Sequence, residues 1–218
     1  KMAVQMAEDD DIEVKYVVAN DDVASAPKAV KEQRHGIAGG FFMWKVGGAR
    51  AAKGGSLDDV IASAQNVVNR TKSICVGLEP CVIPALGHSN FKIEDGTMEF
   101  GVGHHGEAGT KVEKLKSASE MAQEMAETIL NDFDFEEGKE VAVMLSGLGA
   151  TPVMELYVLY DEVEKVLAKA GHKVWKTYIG NYVTSLDMNG ASLTIVDLDD
   201  EIKELLSEPA VPIGMKNY

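Results

Sequence analysis

"KEVAVMLSGLGATPVMELYVLYDEVEKVLAKAGHKVWKTYIGNY", residues Lys139–Tyr182, holds the reading on which the fold turns. Its first part, "KEVAVMLSGLGA", is a nearly unbroken apolar run ending in a glycine turn, the pattern of a strand buried in a sheet. Pro152 stands where a first helical turn tolerates a missing N–H, and Gly171 supplies the stop, so "PVMELYVLYDEVEKVLAKAG" reads as a helix. "HKVWKTYIGNY" then returns to strand. After "VTSLDMNG" comes one more strand, "ASLTIVDLD", and a short acidic helix.

Upstream, "SASEMAQEMAETILNDF" is an amphipathic helix with Met121, Met125, Thr128 and Ile129 along one side. Before it, "CVGLEPCVIP" and "TMEFGVG" are short β-rich runs bounded by prolines and glycines and separated by the turn-like "ALGHSNFKIEDG". "GGSLDDVIASAQNVVNRTKSI" predicts a helix capped by Ser56, with Asp58 and Asp59 in its positive first turn. Leu57, Val60, Ile61, Ala64, Val67 and Val68 form its apolar stripe. "IAGGFFMWKVGGARAAKG" fits a helix with Phe41, Lys45, Gly48 and Ala52 on one face or a strand pair. The helix is favoured, because small residues allow close helix approach, although each internal glycine costs about 1 kcal/mol. The polar stretch 20–36 reads as loop, Ile12 to Ala19 as a strand, and "MAVQMAEDDD" as a helix with Met2, Val4 and Met6 around it. Alternating strands and helices predict an α/β fold of two lobes, each a β-sheet flanked by helices, meeting near Thr71 to Val76. Residues 1–73 are expected to be the remainder of an N-terminal lobe and 74–218 a C-terminal lobe. A helix at the opening whose packing partners are not in view points to a segment preceding Lys1 or lying on another chain.

At 218 residues with 45% hydrophobic side chains the chain supports a sizeable core. Its 35 acidic and 21 basic residues leave a net charge of -14, which opposes binding to nucleic acid and to anionic membranes. No apolar run approaches the roughly 20 residues of a membrane span, and the first residues have no signal-peptide core. Cys75 and Cys81 are too few and too close for a disulfide framework, so a reducing cytoplasm is the expected location.

Two stretches could carry chemistry. Glycines before a helix in "GLGATP" can present backbone N–H groups to an anion, but the Walker lysine and the dinucleotide spacing are both missing. A tight turn packed on the sheet is the simpler reading. "FGVGHHGEAG", residues Phe100–Gly109, sets two histidines among glycines that clear space around them, with Glu107 beside them. Such a histidine can be a nucleophile, a general base or a metal ligand. On a strand, adjacent residues point to opposite faces, which weakens a shared metal on His104, His105 and Glu107. His35, His88 and His172 read as ordinary polar groups.

"FGVGHHGEAG" resembles the active-site motif of the substrate-binding subunit of the dihydroxyacetone kinase family, and "CVGLEPCVIPALGHSNFKIEDGTMEFGVG" is similar to the segment before it. "GLGATPVMELYVLYDEV", "YVTSLDMNGASLTIVDLDDE" and "GIAGGFFMWKVGGARAAKGGSLDDV" resemble further signatures, in order, to about Pro212. The resemblance implies that His105 attacks the carbonyl carbon of dihydroxyacetone and holds it as a covalent hemiaminal. Gly103, Gly106 and Glu107 match the motif, the glycines as clearance and Glu107 as an orienting group. A separate nucleotide-binding kinase subunit carrying ATP or ADP with magnesium would phosphorylate the tethered sugar, so no cofactor and no metal are expected in this chain. The implied assembly is a homodimer. The tail "SEPAVPIGMKNY" ends as free-standing subunits do, which favours the form fed by a phosphocarrier of the phosphotransferase system. Relatives that hold dihydroxyacetone on the equivalent histidine but act as transcriptional co-activators provide the alternative.

This chain departs from the family pattern at Ala108 (usually proline), His104 (usually isoleucine), Ser146 (usually asparagine), His35 (usually arginine) and Gly40 (usually threonine). His104 is accordingly read as a departure rather than a second catalyst. The family's glycine-rich motif with another catalytic histidine, and a catalytic aspartate, would lie before Lys1.

Overall fold

The computed structural model describes residues 2–89, 91–134 and 138–212. Six strands form one sheet in the order β3-β2-β1-β6-β4-β5: β1 (Thr71–Glu79), β2 (Thr97–Phe100), β3 (Lys111–Lys114), β4 (Glu140–Gly147), β5 (Lys173–Gly180) and β6 (Asn189–Asp197). Only β4 and β5 are parallel, joined by helix α5 (Val153–Lys169); the other neighbours run antiparallel. The remaining helices are α1 (Met2–Asp9), α2 (Gly40–Ala52), α3 (Leu57–Asn69), α4 (Ala118–Asp132) and α6 (Asp200–Ser207), with a 3-10 helix at Lys28–Gln33.

The unbroken apolar run of β4 follows from its place in the sheet. Val141, Val143 and Leu145 face α4 and α5, packing with Met125, Ile129, Leu156 and Val163. Ala142 and Met144 face the other way, onto Phe42, Val46 and Val67 of α2 and α3 and onto Ile202 and Leu205 of α6. Both faces are covered, so the period of two in side-chain direction leaves residues 141–145 wholly apolar. Helix starts follow local chemistry. Ser56 and Ser117 each accept from the N–H three residues on, while Asp59 and Glu120 reach back to close capping boxes. Gly171 adopts φ +82 just past α5, as a left-handed stop requires.

The structure corrects several expectations. Residues 12–19 take no regular secondary structure and pair with no strand among the described residues, and Tyr16 and Val18 are exposed; β-branched spacing makes a strand only where a neighbouring backbone accepts its hydrogen bonds. Segment 21–23 instead bridges β1, through Ser73 N to Asp21 O at 2.7 Å and Val23 N to Ser73 O at 3.0 Å. In α2 the core face is Phe42, Val46 and Ala49; Phe41, Lys45, Gly48 and Ala52 lie on the flank beside it, lining an open groove. The fold is α/β as expected: the described residues build one six-stranded sheet flanked by helices, α2 and α3 pack on it, and residues 73 and 74 both lie within β1. Strand β3 was not anticipated: "KVEK" is mostly exposed and lacks an apolar alternation. In the tail Ser207–Tyr218, residues 213–218 lie outside the described residues. No helix among the described residues is long and apolar enough to cross a membrane.

Candidate functional site

The histidine motif is the ten-residue connection between β2 and β3. Phe100 and Lys111 are paired in the ladder, and everything between them leaves the sheet as a loop. Its base is tied twice: Gly101 N donates to Cys75 O at 2.7 Å, and Thr110 N donates to Phe100 O at 2.8 Å. Glu99 is buried and accepts from Gly109 N at 2.6 Å, while Ser185 Oγ donates to His104 O at 2.5 Å. Gly101 and Gly106 adopt φ +77 and +87, which favour glycine.

Within the loop, Glu107 folds back over Gly103. Gly103 N donates to Glu107 O at 2.9 Å, and a Cβ on Gly103 would sit 2.3 Å from Glu107 Oε2. This clearance lets Oε2 accept from His105 N at 2.9 Å and brings Oε1 to 3.4 Å from His105 Nδ1. Partial burial works against the Glu107 carboxylate, but its hydrogen bonds and the adjacent His105 outweigh this and hold it below its ordinary range.

The two histidines occupy a turn, not a strand, and differ in environment. The His105 ring is 86% exposed. His104 turns inward, its Nε2 3.6 Å from the Sγ of buried Cys75. Burial, with His105 adding to it, lowers the His104 imidazole to about 4, so it is neutral at physiological pH. The same burial pushes the Cys75 thiol well up, so it stays protonated. Both cysteines are free and buried.

Both histidines border a cavity of about 320 Å3 whose other wall is Val18, Ala19, Arg34, His35, Gly36 and Ile37. That wall is built on buried charge. Asp21 accepts from Ile37 N at 3.2 Å and Gly39 N at 2.7 Å, and burial raises its carboxyl above the ordinary range. A Cβ on Gly39 would lie 2.5 Å from the Asp21 carboxyl carbon. Arg34, its side chain 1% exposed, forms a bidentate pair with Asp132 at the end of α4 (2.6 and 2.7 Å) and donates to Ala26 O at 2.7 Å. The predicted residues Gly103, His105 and Glu107 therefore converge at one cavity, while Gly106 supplies the turn between them. Sequence reasoning passed over His35 and the 18–19 and 36–37 backbone, because "GIAG" meets Asp21 only in the fold.

Elsewhere the structure narrows the alternatives. In "GLGATP", Leu148 N donates to Gly190 O and Ala150 N to Met188 O, so these N–H groups serve the sheet-end turn rather than an anion. Gly149, at φ +135, would drive a Cβ to 2.0 Å from Leu186 O. His88 and His172 lie outside the cavity wall. Among the described residues no three His, Cys, Asp or Glu side chains group as a metal site.

Residues 1–213 match the Dak1 domain. The dihydroxyacetone-binding subunit DhaK of PTS-dependent dihydroxyacetone kinase 1 from Listeria innocua is 39% identical over 201 residues, 92% of this chain and 61% of that protein. Among solved structures, the dihydroxyacetone kinase operon co-activator Dha-DhaQ superposes with a TM-score of 0.87 at 31% identity, over 95% of this chain and 65% of that one. The dihydroxyacetone kinase of C. freundii superposes with a TM-score of 0.85 at 27% identity, over 95% and 37%. The chain spans about three-fifths of the length of the curated relative it matches.

Proposed function

The chain belongs to the Dak1 domain family, and from that premise we propose that it is the dihydroxyacetone-binding subunit of a dihydroxyacetone kinase, or the larger part of one. In this reading His105 tethers the substrate. The unprotonated Nε2 forms a bond to the carbonyl carbon, the carbonyl π pair moves to oxygen and takes up a proton, and the Nδ1 proton passes towards Glu107. The product is a neutral hemiaminal, the sum of imidazole and ketone with nothing lost. Glycerol offers no carbonyl and is rejected by chemistry rather than by shape. A nucleotide-binding subunit carrying magnesium and ATP or ADP then phosphorylates a hydroxyl of the tethered sugar. A cytoplasmic homodimer, supplied through the phosphotransferase system, completes the reading.

The observation that carries it is the exposed His105 ring at a cavity mouth, with a carboxylate held both on its backbone N–H and beside its Nδ1. The full-length protein is mixed with dihydroxyacetone labelled with carbon-13 at its carbonyl. The label is expected to move from the carbonyl to the tetrahedral region of the spectrum, and His105→Ala is expected to abolish the shift. A label that stays in the carbonyl region at saturation refutes the tether.

The likeness to a co-activator supports a second reading, a dihydroxyacetone sensor that binds without turnover. Adding the nucleotide-binding partner separates the two. Phosphorylated sugar identifies the kinase subunit, and an adduct without turnover identifies the sensor.

A further inference from the structure

His104 sits beside the proposed tether without a role in it. Its backbone is pinned through Ser185 and its Nε2 rests against Cys75, so the ring has little freedom to turn. The other ring nitrogen, Nδ1, has no hydrogen-bond partner among the described residues, yet it is not among the sealed-off polar atoms without partners. It is therefore solvent-accessible, on a ring that borders the cavity. Either partner can donate across the Cys75–Nε2 contact; with the thiol as donor, the ring proton lies on Nδ1. In that tautomer the ring presents an uncharged N–H donor next to the proposed tether.

We propose that His104 is a specificity-determining residue whose Nδ1–H donates to a hydroxyl of the tethered sugar, selecting polyhydroxylated ketoses over ketones that lack that hydroxyl. The inference rests on the tether at His105. A half-buried donor left without its partner penalises the deoxy analogue, whereas an apolar side chain at the same place does not. An imidazole there thus changes the selectivity of the site while leaving the carbonyl chemistry to His105.

The test compares adduct formation by the full-length protein with dihydroxyacetone and with hydroxyacetone, which lacks one hydroxyl, using carbonyl-labelled ketones. Wild type is expected to prefer dihydroxyacetone by about 10-fold or more beyond the ratio shown by His104→Ile. His104→Asn, whose side-chain amide can place a donor near the position of Nδ1, is expected to restore most of that preference. Equal preference ratios in wild type and His104→Ile overturn the proposal, as does a ratio that His104→Asn fails to recover. Should His104→Ile not fold, nitrogen-15 NMR of the wild-type imidazole decides. The Nδ1 resonance of His104 is expected to shift with dihydroxyacetone and much less with hydroxyacetone, and equal shifts overturn the proposal. Failure of the underlying tether gives a different result, since no labelled ketone then forms an adduct in any variant.

Discussion

Replacing Gly103 with alanine probes how the loop holds its histidine. The new Cβ would meet Glu107 Oε2 at 2.3 Å and Glu107 Cβ at 2.8 Å, too close to be relieved by small adjustments, so the glutamate must swing away. What is lost is the carboxylate's hydrogen bond to His105 N at 2.9 Å and its approach to Nδ1 at 3.4 Å. A hydrogen bond to a charged group contributes about 1.5–3 kcal/mol; because the Glu107 side chain is 40% exposed, roughly 1–2 kcal/mol is the appropriate range. At about 1.4 kcal/mol per tenfold, the dihydroxyacetone adduct should weaken about 5- to 30-fold. The assay is titration with carbonyl-labelled dihydroxyacetone, alongside a denaturation curve to show that the sheet is intact. Glu107→Ala should reproduce the loss, and Gly48→Ala, whose Cβ meets nothing within 4 Å, should be silent. Wild-type adduct affinity in a folded Gly103→Ala protein would refute the claim that Glu107 orients His105. A loss in Gly103→Ala with none in Glu107→Ala would place the cause elsewhere in the loop.

Two further perturbations address the opposite wall. Burial lifts the Asp22 carboxyl from 3.8 to about 6, so between those values the folded protein binds a proton that the unfolded chain has released, and stability falls as pH rises through that window. Asp22→Asn removes the titration while keeping an acceptor for Ala24 N, so its stability relative to wild type should rise by up to ~3 kcal/mol between pH 4 and pH 7. Urea denaturation across that range measures it, and a pH-independent difference contradicts the assignment. Asp132→Asn leaves the Arg34 guanidinium buried without its carboxylate, at a cost of about 3–5 kcal/mol. A denaturation midpoint close to wild type would show that the pair is not the support of this wall.

Legibility in the sequence followed how local the physics is. Helices α3 and α4 could be read because their signals are local, a serine cap with acids behind it in α3 and an apolar stripe in α4, and the structure adds a capping box to each. Strand β4 could be read because burial on both faces leaves an apolar run that needs no partner to be seen. Residues 12–19 have the same β-branched chemistry and form no ladder, since pairing depends on a neighbouring backbone that the spacing of side chains does not encode. Strand β3 shows the converse, with little pattern of its own and a place assigned by β2, its partner in all four registers. Helix α2 was legible as a helix but not in its orientation, because small residues populate both faces and the core is decided by where Phe42 and Val46 meet Met144.

The same distinction runs through the site. The glycine spacing in "GHHGEAG" is local: Gly103 leaves room for the Glu107 side chain, and Gly106 takes the positive φ of the turn. That adjacent histidines diverge is a rule for strands, whereas the loop places them in a turn and both border one cavity. Their difference comes from what lies beyond the loop: Cys75 on β1 and Ser185 before β6 draw His104 inward, while Glu107 two residues on steadies His105 outward. Cys75 and Ser185 lie 29 and 81 residues from His104 in sequence, and they meet the loop because β1 is paired between β2 and β6. The inward ring is thereby made neutral and the outward ring is left accessible, as the proposed division between hydrogen bonding and bond formation requires.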